Sequence, residues 1–270
     1  MSAEKIAFVA SGGGMSGAYG AGAALALQEA GIKPDIFIGS SGGACTATYF
    51  ACGQAETTLK LWGLIADPRV IQRRPFRLDI DVVVDTMRDR FPFDDARLRD
   101  PLVDLYVAAT DYAEVRTRYF SNHEPFDWVE VIRASMAIPF VYGRKIMLDG
   151  RLYYDGDVVT SLETSIALAK NLGATKIYAC DTRWPHSLWS SAQEVGFSQL
   201  CTPDILKTMQ GEYRMRRTKP DLRDVDVVYI KRPPDLATNM LNNDLAAIKE
   251  AIDTGYADAR KLLMDKAVTP

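Results

Sequence analysis

The sequence SGGGMSG, residues 11–17, places four glycines in seven positions directly after the apolar run Ile6–Ala10. An apolar run that ends in glycines and precedes a helical stretch predicts a strand, a loop and a helix in succession. Glycines present backbone N–H groups with no side chain in the way. Such a loop suits either a nucleotide phosphate or the negative oxygen of a reaction intermediate, and by itself it does not decide between them.

The strand–loop–helix order then occurs a second time. Residues 17–30 carry small and apolar side chains on nearly every face, which predicts a buried helix that stops at Gly31. Residues 35–38 (DIFI) form the next predicted strand, which continues into GSSGG and a second small-residue helix at 44–51. This alternation is typical of a parallel sheet. We therefore predict a three-layer α/β/α fold with a central, mostly parallel sheet.

The remainder of the chain is consistent with one domain spanning residues 1–270. Residues 54–101 lack the alternation, and we predict that they form helices and loops of an insertion or lid. Asp149-Gly150 is a two-residue hairpin signal, and Thr160 begins a predicted capping box. The last helix is expected to bury the face that carries Leu245 and Ile248. Further strands are predicted at 102–110, 115–120, 176–181 and 225–230.

Composition narrows the functional classes. The 270 residues are 47% hydrophobic and 25% charged, as expected for a globular protein. The net charge of −3 argues against nucleic-acid binding. The four cysteines include no C-x-x-C pair, and the apolar surroundings of Cys45 and Cys52 favour buried thiols over disulfides or metal ligands. With no targeting segment or long apolar run, we expect a cytoplasmic protein. We also expect that the protein needs no metal or cofactor.

The second glycine motif, GSSGG from Gly39, fits the pattern G-x-S-x-G in one register only. The matching residues are Gly39, Ser41 and Gly43, because a central Ser40 would require glycine in place of Ile38. This pattern between a strand and a helix predicts a nucleophile elbow after the second strand, in which a sharp turn pushes the serine hydroxyl outward. A glycine-rich turn without chemistry is the alternative.

A serine nucleophile needs a base, and the chain has only two histidines, His123 and His186. The order Ser41, Asp155, His186 matches that of an α/β-hydrolase triad, although a loop histidine is more often simply solvated. Asp155 is the better candidate, since it follows a predicted strand and precedes a helix. A carboxylate with an ordinary pKa near ~3.9 is a weak base, so the site must partly desolvate it.

Two neighbouring carboxylates are less suited to that role. Asp149 is explained by the hairpin turn, and Asp157 is interpreted as a loop or pre-helix residue. A nucleotide-binding module at residues 12–17 also stays open, because GGGMSG matches G-x-G-x-x-G. That fingerprint expects an acid at the end of the second strand, whereas Asp35 lies at its start.

The glycine-rich loop, the elbow and Asp155-Gly156, in this order, resemble the patatin-like phospholipase family. The segment ASMAIP at 134–139 resembles a further segment of that family. The resemblance implies a Ser–Asp dyad without histidine, in which Ser41 attacks an acyl carbonyl and Asp155 takes its proton. It also implies that the amides of Gly12, Gly13 and Gly14 stabilise the oxyanion, chiefly those of Gly13 and Gly14.

Two positions depart from the family pattern. Ser16 stands where the family usually has a basic residue, and Asp157 follows the Asp-Gly pair in place of glycine or alanine. Asp157 either raises the pKa of Asp155, which would make it a better base, or points to solvent.

The implied activity is hydrolysis of lipid or phospholipid acyl esters, with an acyltransferase as the alternative. The basic stretches 69–77 and 214–219 are candidate contacts for anionic head groups at a membrane surface. An ordinary solvated charged face is the more common explanation of such stretches.

Overall fold

The computed structural model describes residues 4–67, 79–138, 142, 144–183, 220–238, 242 and 244–268. Eight strands in these residues form one sheet: β1 Ile6–Ala10, β2 Ile36–Ser40, β3 Asp104–Asp111, β4 Arg116–Ser121, β5 Ile146–Leu148, β6 Arg151–Asp155, β7 Lys176–Asp181 and β8 Asp226–Lys231. The helices that pack around the sheet are α1 Gly17–Glu29, α2 Gly42–Ala51, α3 Ala55–Ile65, α4 Ile80–Arg90, α5 Asp95–Leu98, α6 Trp128–Ser135, α7 Leu162–Asn171 and α8 Leu245–Val268.

The centre of the sheet is parallel. Strands β3, β2, β1, β7 and β8 lie side by side in that order and run in the same direction. Strands β4 and β6 pair antiparallel with β3, and β5 pairs antiparallel with β6. One core lies between the sheet and α7, and a larger one lies on the other face with α1, α2 and α8. The predicted three-layer α/β/α fold is confirmed.

The pairing along β3 brings two distant parts of the chain together. Ala108 of β3 pairs with Ser40 at the end of β2, and the next residue, Ala109, pairs with Asp155 at the end of β6. Strand β4 pairs with both alanines along the opposite edge of β3. Strands β2 and β6 therefore follow one another along a single edge of β3, and their ends meet.

Helix α1 is buried on nearly all sides because it packs between the sheet, α2, α3 and α8. Its contact with α8 is a direct approach of two backbones. A Cβ on Gly22 would lie 2.0 Å from the carbonyl oxygen of Ile252, and one on Gly255 would lie 2.0 Å from that of Tyr19. Small residues in α1 thus allow this close helix contact, and the buried helix predicted from the even distribution of apolar side chains is confirmed.

Several details of the local predictions were wrong. Helix α2 begins at Gly42, two residues earlier than expected, and the cap of α7 is Ser161 rather than Thr160. Leu245 is largely exposed, while Ile248 is buried. The hairpin prediction is confirmed, since Asp149 and Gly150 join β5 to β6 and both have positive φ.

The segment 54–101 contains α3, α4 and α5, and its residues 68–78 lie outside the described part. The basic stretch 69–77 therefore lies outside the described residues, as does the stretch 214–219. Cys45, Cys52 and Cys180 are buried free thiols. Cys201 is also outside the described residues.

Candidate active site

The elbow at the end of β2 holds Ser41 in a conformation that few residues adopt, with φ of 52° and ψ of −126°. The turn is so tight that a Cβ on Gly39 would lie 2.4 Å from the carbonyl oxygen of Gly43. A Cβ on Gly43 would lie 2.5 Å from the carbonyl oxygens of Ala10 and Ser11. Both glycines of the motif are therefore required by space, and the N-terminus of α2 follows directly behind Ser41.

Ser41 and Asp155 form a direct hydrogen bond. The hydroxyl Oγ of Ser41 donates to Oδ2 of Asp155 over 2.8 Å, and both side chains are buried. The meeting of β2 and β6 along β3 produces this contact, because Asp155 ends β6 and Ser41 follows β2. The structure thus brings together the two residues that the sequence singled out as nucleophile and base.

The segment ASMAIP supports both members of this pair. The backbone N–H of Ser41 donates to Oγ of Ser135 over 2.9 Å, and the N–H of Asp155 donates to the carbonyl oxygen of Ala137 over 3.0 Å. On the other side, Oγ1 of Thr110 donates to the carbonyl oxygen of Asp155 over 2.8 Å. These three buried contacts fix the backbone on which each reacting side chain stands.

The carboxyl group of Asp155 lies in a strongly perturbed environment. Burial raises its pKa well above the ordinary carboxyl value, and the nearby charge of Asp157 raises it further. Hydrogen bonds from the N–H of Asp157, over 2.8 Å to Oδ1, and from the hydroxyl of Ser41 act in the opposite direction. A carboxylate with a raised pKa is a stronger base than an exposed one.

Asp157 points toward the site, not away from it. It lies in a 3₁₀ turn, Gly156–Val158, that begins immediately after Asp155. A Cβ on Gly12 would lie 1.9 Å from Oδ2 of Asp157 and 2.7 Å from Cβ of Ser41. Gly12 therefore separates the second carboxylate from the elbow, and only glycine leaves room for both.

The glycine loop is held from its carbonyl side. Oγ1 of Thr182, the residue after β7, donates to the carbonyl oxygen of Gly12 over 2.6 Å, and the N–H of Thr182 donates to Oγ of Ser11 over 3.0 Å. Gly13 and Gly14 have φ of 147° and 58°, in the region that favours glycine. Within the described ranges, no hydrogen-bond acceptor is recorded for the N–H groups of these two glycines.

Ser16 is buried, and its hydroxyl donates to the carbonyl oxygen of Thr238 over 3.3 Å. The guanidinium of Arg232, also buried, donates to the same carbonyl oxygen. Arg232 follows β8, far from the loop in sequence. The family resemblance implies a basic residue at position 16. Here a basic group from another part of the chain lies near that position, because Arg232 and Ser16 donate to the same carbonyl oxygen.

The other candidates lie elsewhere. Nε2 of His123 is 3.1 Å from Oδ1 of Asp104 at the start of β3, the opposite end of the sheet from Ser41. His186 lies outside the described residues. Oδ2 of Asp35 accepts the N–H of Ile6 over 2.8 Å, which is a structural role. In the part of the chain that the structure describes, no cluster of His, Cys, Asp or Glu has the arrangement of a metal site.

Sequence reasoning did not identify Thr182, Thr110 or Gly42 as parts of the site. Thr182 follows a predicted strand, so its position at the carboxyl edge of a parallel sheet was an available signal. Gly42 carries the N–H that follows the nucleophile, a position that contributes to the oxyanion hole in elbow enzymes. The contact of Thr110 depends on long-range strand pairing, and no local pattern indicates it.

Comparison with known proteins identifies the family of this chain. The family model for patatin-like phospholipases matches residues 8–168. The uncharacterized protein YjjU of Escherichia coli (strain K12) is 30% identical over 164 residues, which are 57% of this chain and 46% of that protein. Lysophospholipase nte1 of Aspergillus terreus (strain NIH 2624 / FGSC A1156) is 27% identical over 188 residues, 66% of this chain and 12% of that protein.

The alignments thus span less than half of the length of either curated relative. Among solved structures, the crystal structure of VipD from Legionella pneumophila superimposes with a TM-score of 0.50 at 14% identity. The superposition covers 97% of this chain and 67% of VipD, and it supports the fold alone. Since the family model matches more than half of the chain and includes both Ser41 and Asp155, the chain belongs to the patatin-like phospholipase family.

Proposed function

We propose that the protein is a serine acyl hydrolase of lipid esters in which Ser41 is the nucleophile and Asp155 the base. The observation that carries this proposal is the 2.8 Å hydrogen bond from the hydroxyl of Ser41 to the buried carboxylate of Asp155. The elbow supports it, because it aims one strained serine at the end of a parallel sheet. Membership of the patatin-like phospholipase family supports lipid acyl hydrolysis in general.

In the first half of the reaction, Oγ of Ser41 attacks the acyl carbon and its proton passes to Asp155. The negative oxygen of the tetrahedral intermediate accepts hydrogen bonds from backbone N–H groups of Gly13, Gly14 and Gly42. Gly12 maintains the close contact between the loop and the elbow. The intermediate then expels the alcohol, which takes the proton from Asp155, and an acyl-enzyme remains on Ser41.

In the second half, water takes the place of the alcohol. Asp155 accepts a proton from the water as its oxygen attacks the acyl carbon, and the same donors stabilise the second oxyanion. Collapse of this intermediate breaks the bond to Oγ of Ser41, which recovers its proton from Asp155. The products are a carboxylic acid and the starting enzyme, and neither half requires a metal or a cofactor.

Two alternatives use parts of the same site. An acyltransferase would pass the acyl group from Ser41 to an alcohol or thiol, and product analysis with competing acceptors separates it from a hydrolase. A nucleotide-binding module at residues 12–17 is less well supported, because Asp35 bonds to Ile6 and lies at the far end of β2. A titration without dinucleotide binding would exclude it.

Lipid substrates imply work at or near a membrane surface. No helix of the described residues has both the length and the apolar character needed to cross a membrane. We retain transient surface contact through the basic stretches 69–77 and 214–219 as a proposal, and binding to anionic vesicles would test it. A location in the cytoplasm and a single domain over residues 1–270 remain proposals of the same kind, as does a lid formed by residues 54–101.

The test is hydrolysis of nitrophenyl butyrate by the wild type, Ser41→Ala and Asp155→Asn. Each variant is expected to lose at least about 10⁴-fold in kcat, since a missing nucleophile or base leaves only binding and oxyanion stabilisation. Ser40→Ala is the matched control, because its buried hydroxyl has no hydrogen-bond partner among the described residues. Full activity of Asp155→Asn together with an inactive His186→Ala would replace Asp155 by His186 as the base.

A further inference from the structure

A small apolar cavity lies beside Ser41, which is one of its lining residues. Gly14 and Gly42 also line it, so the cavity reaches the glycine loop and the elbow. Its walls come from α3, through Leu61 and Ile65, and from α4. These helices belong to the segment 54–101, which therefore contributes directly to the site.

The lining indicates what occupies the cavity. Ser41 lines the cavity, so the acyl group of an ester that Ser41 attacks can extend into it. The thiol of Cys45, in the lining, is neutral because burial raises its pKa to about 12. A charged head group would lose its hydration here without gaining a partner, whereas each buried methylene improves binding about fourfold. The hydrocarbon chain of the acyl group fits these conditions.

Part of the cavity wall lies about one helical turn beyond the nucleophile. Cys45, which lines the cavity, lies in α2 four residues after Ser41, and Ser41 immediately precedes the helix. Its Sγ is 3.4 Å from Sδ of Met136 and 3.8 Å from Sδ of Met87. Met87 is fully buried behind Cys45 and does not line the cavity. We name these three sulfur-containing side chains, which contact one another at this part of the wall, the sulfur floor.

The floor limits the length of the chain that fits. Four residues of helix rise about 6 Å, so Cys45 lies close to the nucleophile along α2. The cavity is also small, about 20 Å³, little more than one water molecule requires, so a chain of more than a few carbons must displace the sulfur floor. Ile80 and Val83 of α4 also line the cavity. Helix α4 is held in place because the buried Arg133 of α6 forms ion pairs with Asp81 and Asp85 of α4.

We propose that this cavity is the acyl site and that Met87, acting through Cys45, limits the acyl group to a short chain of a few carbons. The inference rests on the proposed function, because it requires that Ser41 attack the ester. It assigns Met87 as a residue that determines specificity without touching the reacting atoms.

The experiment compares kcat/KM for nitrophenyl esters from acetate to decanoate in the wild type and Met87→Ala. The wild type is expected to peak at acetate or butyrate and to fall at least about tenfold at octanoate. Met87→Ala removes the support behind Cys45, so its ratio of octanoate to butyrate should rise at least about tenfold. Cys45→Ala, a smaller deletion in the same floor, should move the optimum in the same direction.

Ile166→Ala is the matched control, since Ile166 is equally buried but lies in the core on the other face of the sheet. It should lose stability without any change in the chain-length profile. An unchanged profile in folded Met87→Ala and Cys45→Ala, or a wild type that prefers decanoate, would overturn the acyl site while leaving Ser41 as the nucleophile. A wild type without ester turnover and without fluorophosphonate labelling of Ser41 would overturn the proposed function as well.

Discussion

The two glycine motifs of this protein use glycine for different physical reasons. In the elbow, Gly39 and Gly43 have ordinary φ angles, and glycine is required because carbonyl oxygens occupy the place of a side chain. In the loop, Gly13 and Gly14 are required mainly by their positive φ angles, which turn the backbone. The elbow motif therefore requires glycine for close packing, and the loop motif requires glycine for its backbone conformation.

This difference separates stability from chemistry. The elbow glycines allow β1, β2 and α2 to pack against one another, so they contribute to the fold as well as to the strained turn at Ser41. Within the described residues, the N–H groups of Gly13 and Gly14 have no hydrogen-bond acceptor, which leaves them available for the proposed oxyanion. Substitutions in the elbow should therefore lower both stability and activity, whereas substitutions in the loop should mainly lower the rate of the reaction.

The largest effect is expected for Gly43→Ala. The new methyl group would lie 2.5 Å from two backbone oxygens at the end of β1, so strand and helix must separate. We expect a loss of at least about 3 kcal/mol in the free energy of unfolding, together with loss of ester hydrolysis. Thermal and denaturant unfolding measure the first, and nitrophenyl butyrate turnover measures the second.

Gly63→Ala is the control for that experiment. Gly63 lies within α3, and apart from its own helix no atom of the described residues would lie within 4 Å of a Cβ at this position, so alanine should stabilise the helix by about 0.5–1 kcal/mol. A Gly43→Ala protein as stable as the wild type would contradict the account of the elbow.

A smaller effect on stability, but a clear one on rate, is expected for Gly13→Ala. A φ of 147° is strained for alanine, so the loop should change its conformation at a cost of about 1–3 kcal/mol. Loss of one oxyanion donor should lower kcat about 10²–10³-fold while KM changes little. Steady-state kinetics on the folded variant give the two parameters separately.

Gly31→Ala imposes a positive φ on alanine at a position without close neighbours and far from the site. It should lower stability and leave kcat unchanged. Equal kcat values for Gly13→Ala and Gly31→Ala would mean that the loop has no role in the reaction.

The smallest effect is expected where the two motifs touch through Asp157. Its charge adds to burial in raising the pKa of Asp155, so Asp157→Asn should lower that pKa. Asp155 must be ionised to act as a base, and activity therefore rises with pH through its pKa. The acid limb of the kcat/KM profile should move to lower pH, with a loss of less than about tenfold at the plateau because the base becomes weaker.

Asp149→Asn removes the same charge from the exposed hairpin turn, where Asn-Gly is also favoured. Its pH profile should match that of the wild type. An acid limb that moves to higher pH in Asp157→Asn would show that the charge of Asp157 does not raise the pKa of Asp155.

The local features of the site could be predicted from the sequence. The spacing of Gly39, Ser41 and Gly43 fixes one register of the elbow, and the structure has the serine of that register in the strained turn. Asp155 was identified as a carboxylate that follows a strand, and it does end β6. These features depend on a few consecutive residues, so local patterns carry them.

The long-range features could not be predicted. That β6 continues the edge of β2 along β3 depends on strand pairing between distant segments, and this pairing creates the contact of Ser41 with Asp155. The direction of Asp157 depends on the 3₁₀ turn that follows Asp155, and its sequence alone allowed a solvent-facing side chain. Likewise, the contact of Thr182 with Gly12 joins residues 170 positions apart.

The most direct test of the central claim is peptide mapping by mass spectrometry after reaction with a fluorophosphonate. A proton acceptor at 2.8 Å makes Ser41 the activated hydroxyl, so the adduct should lie on Ser41, disappear in Ser41→Ala and form far more slowly in Asp155→Asn. Ser40→Ala should be labelled as fast as the wild type. An adduct on Ser40, or labelling that survives Ser41→Ala, would contradict the account.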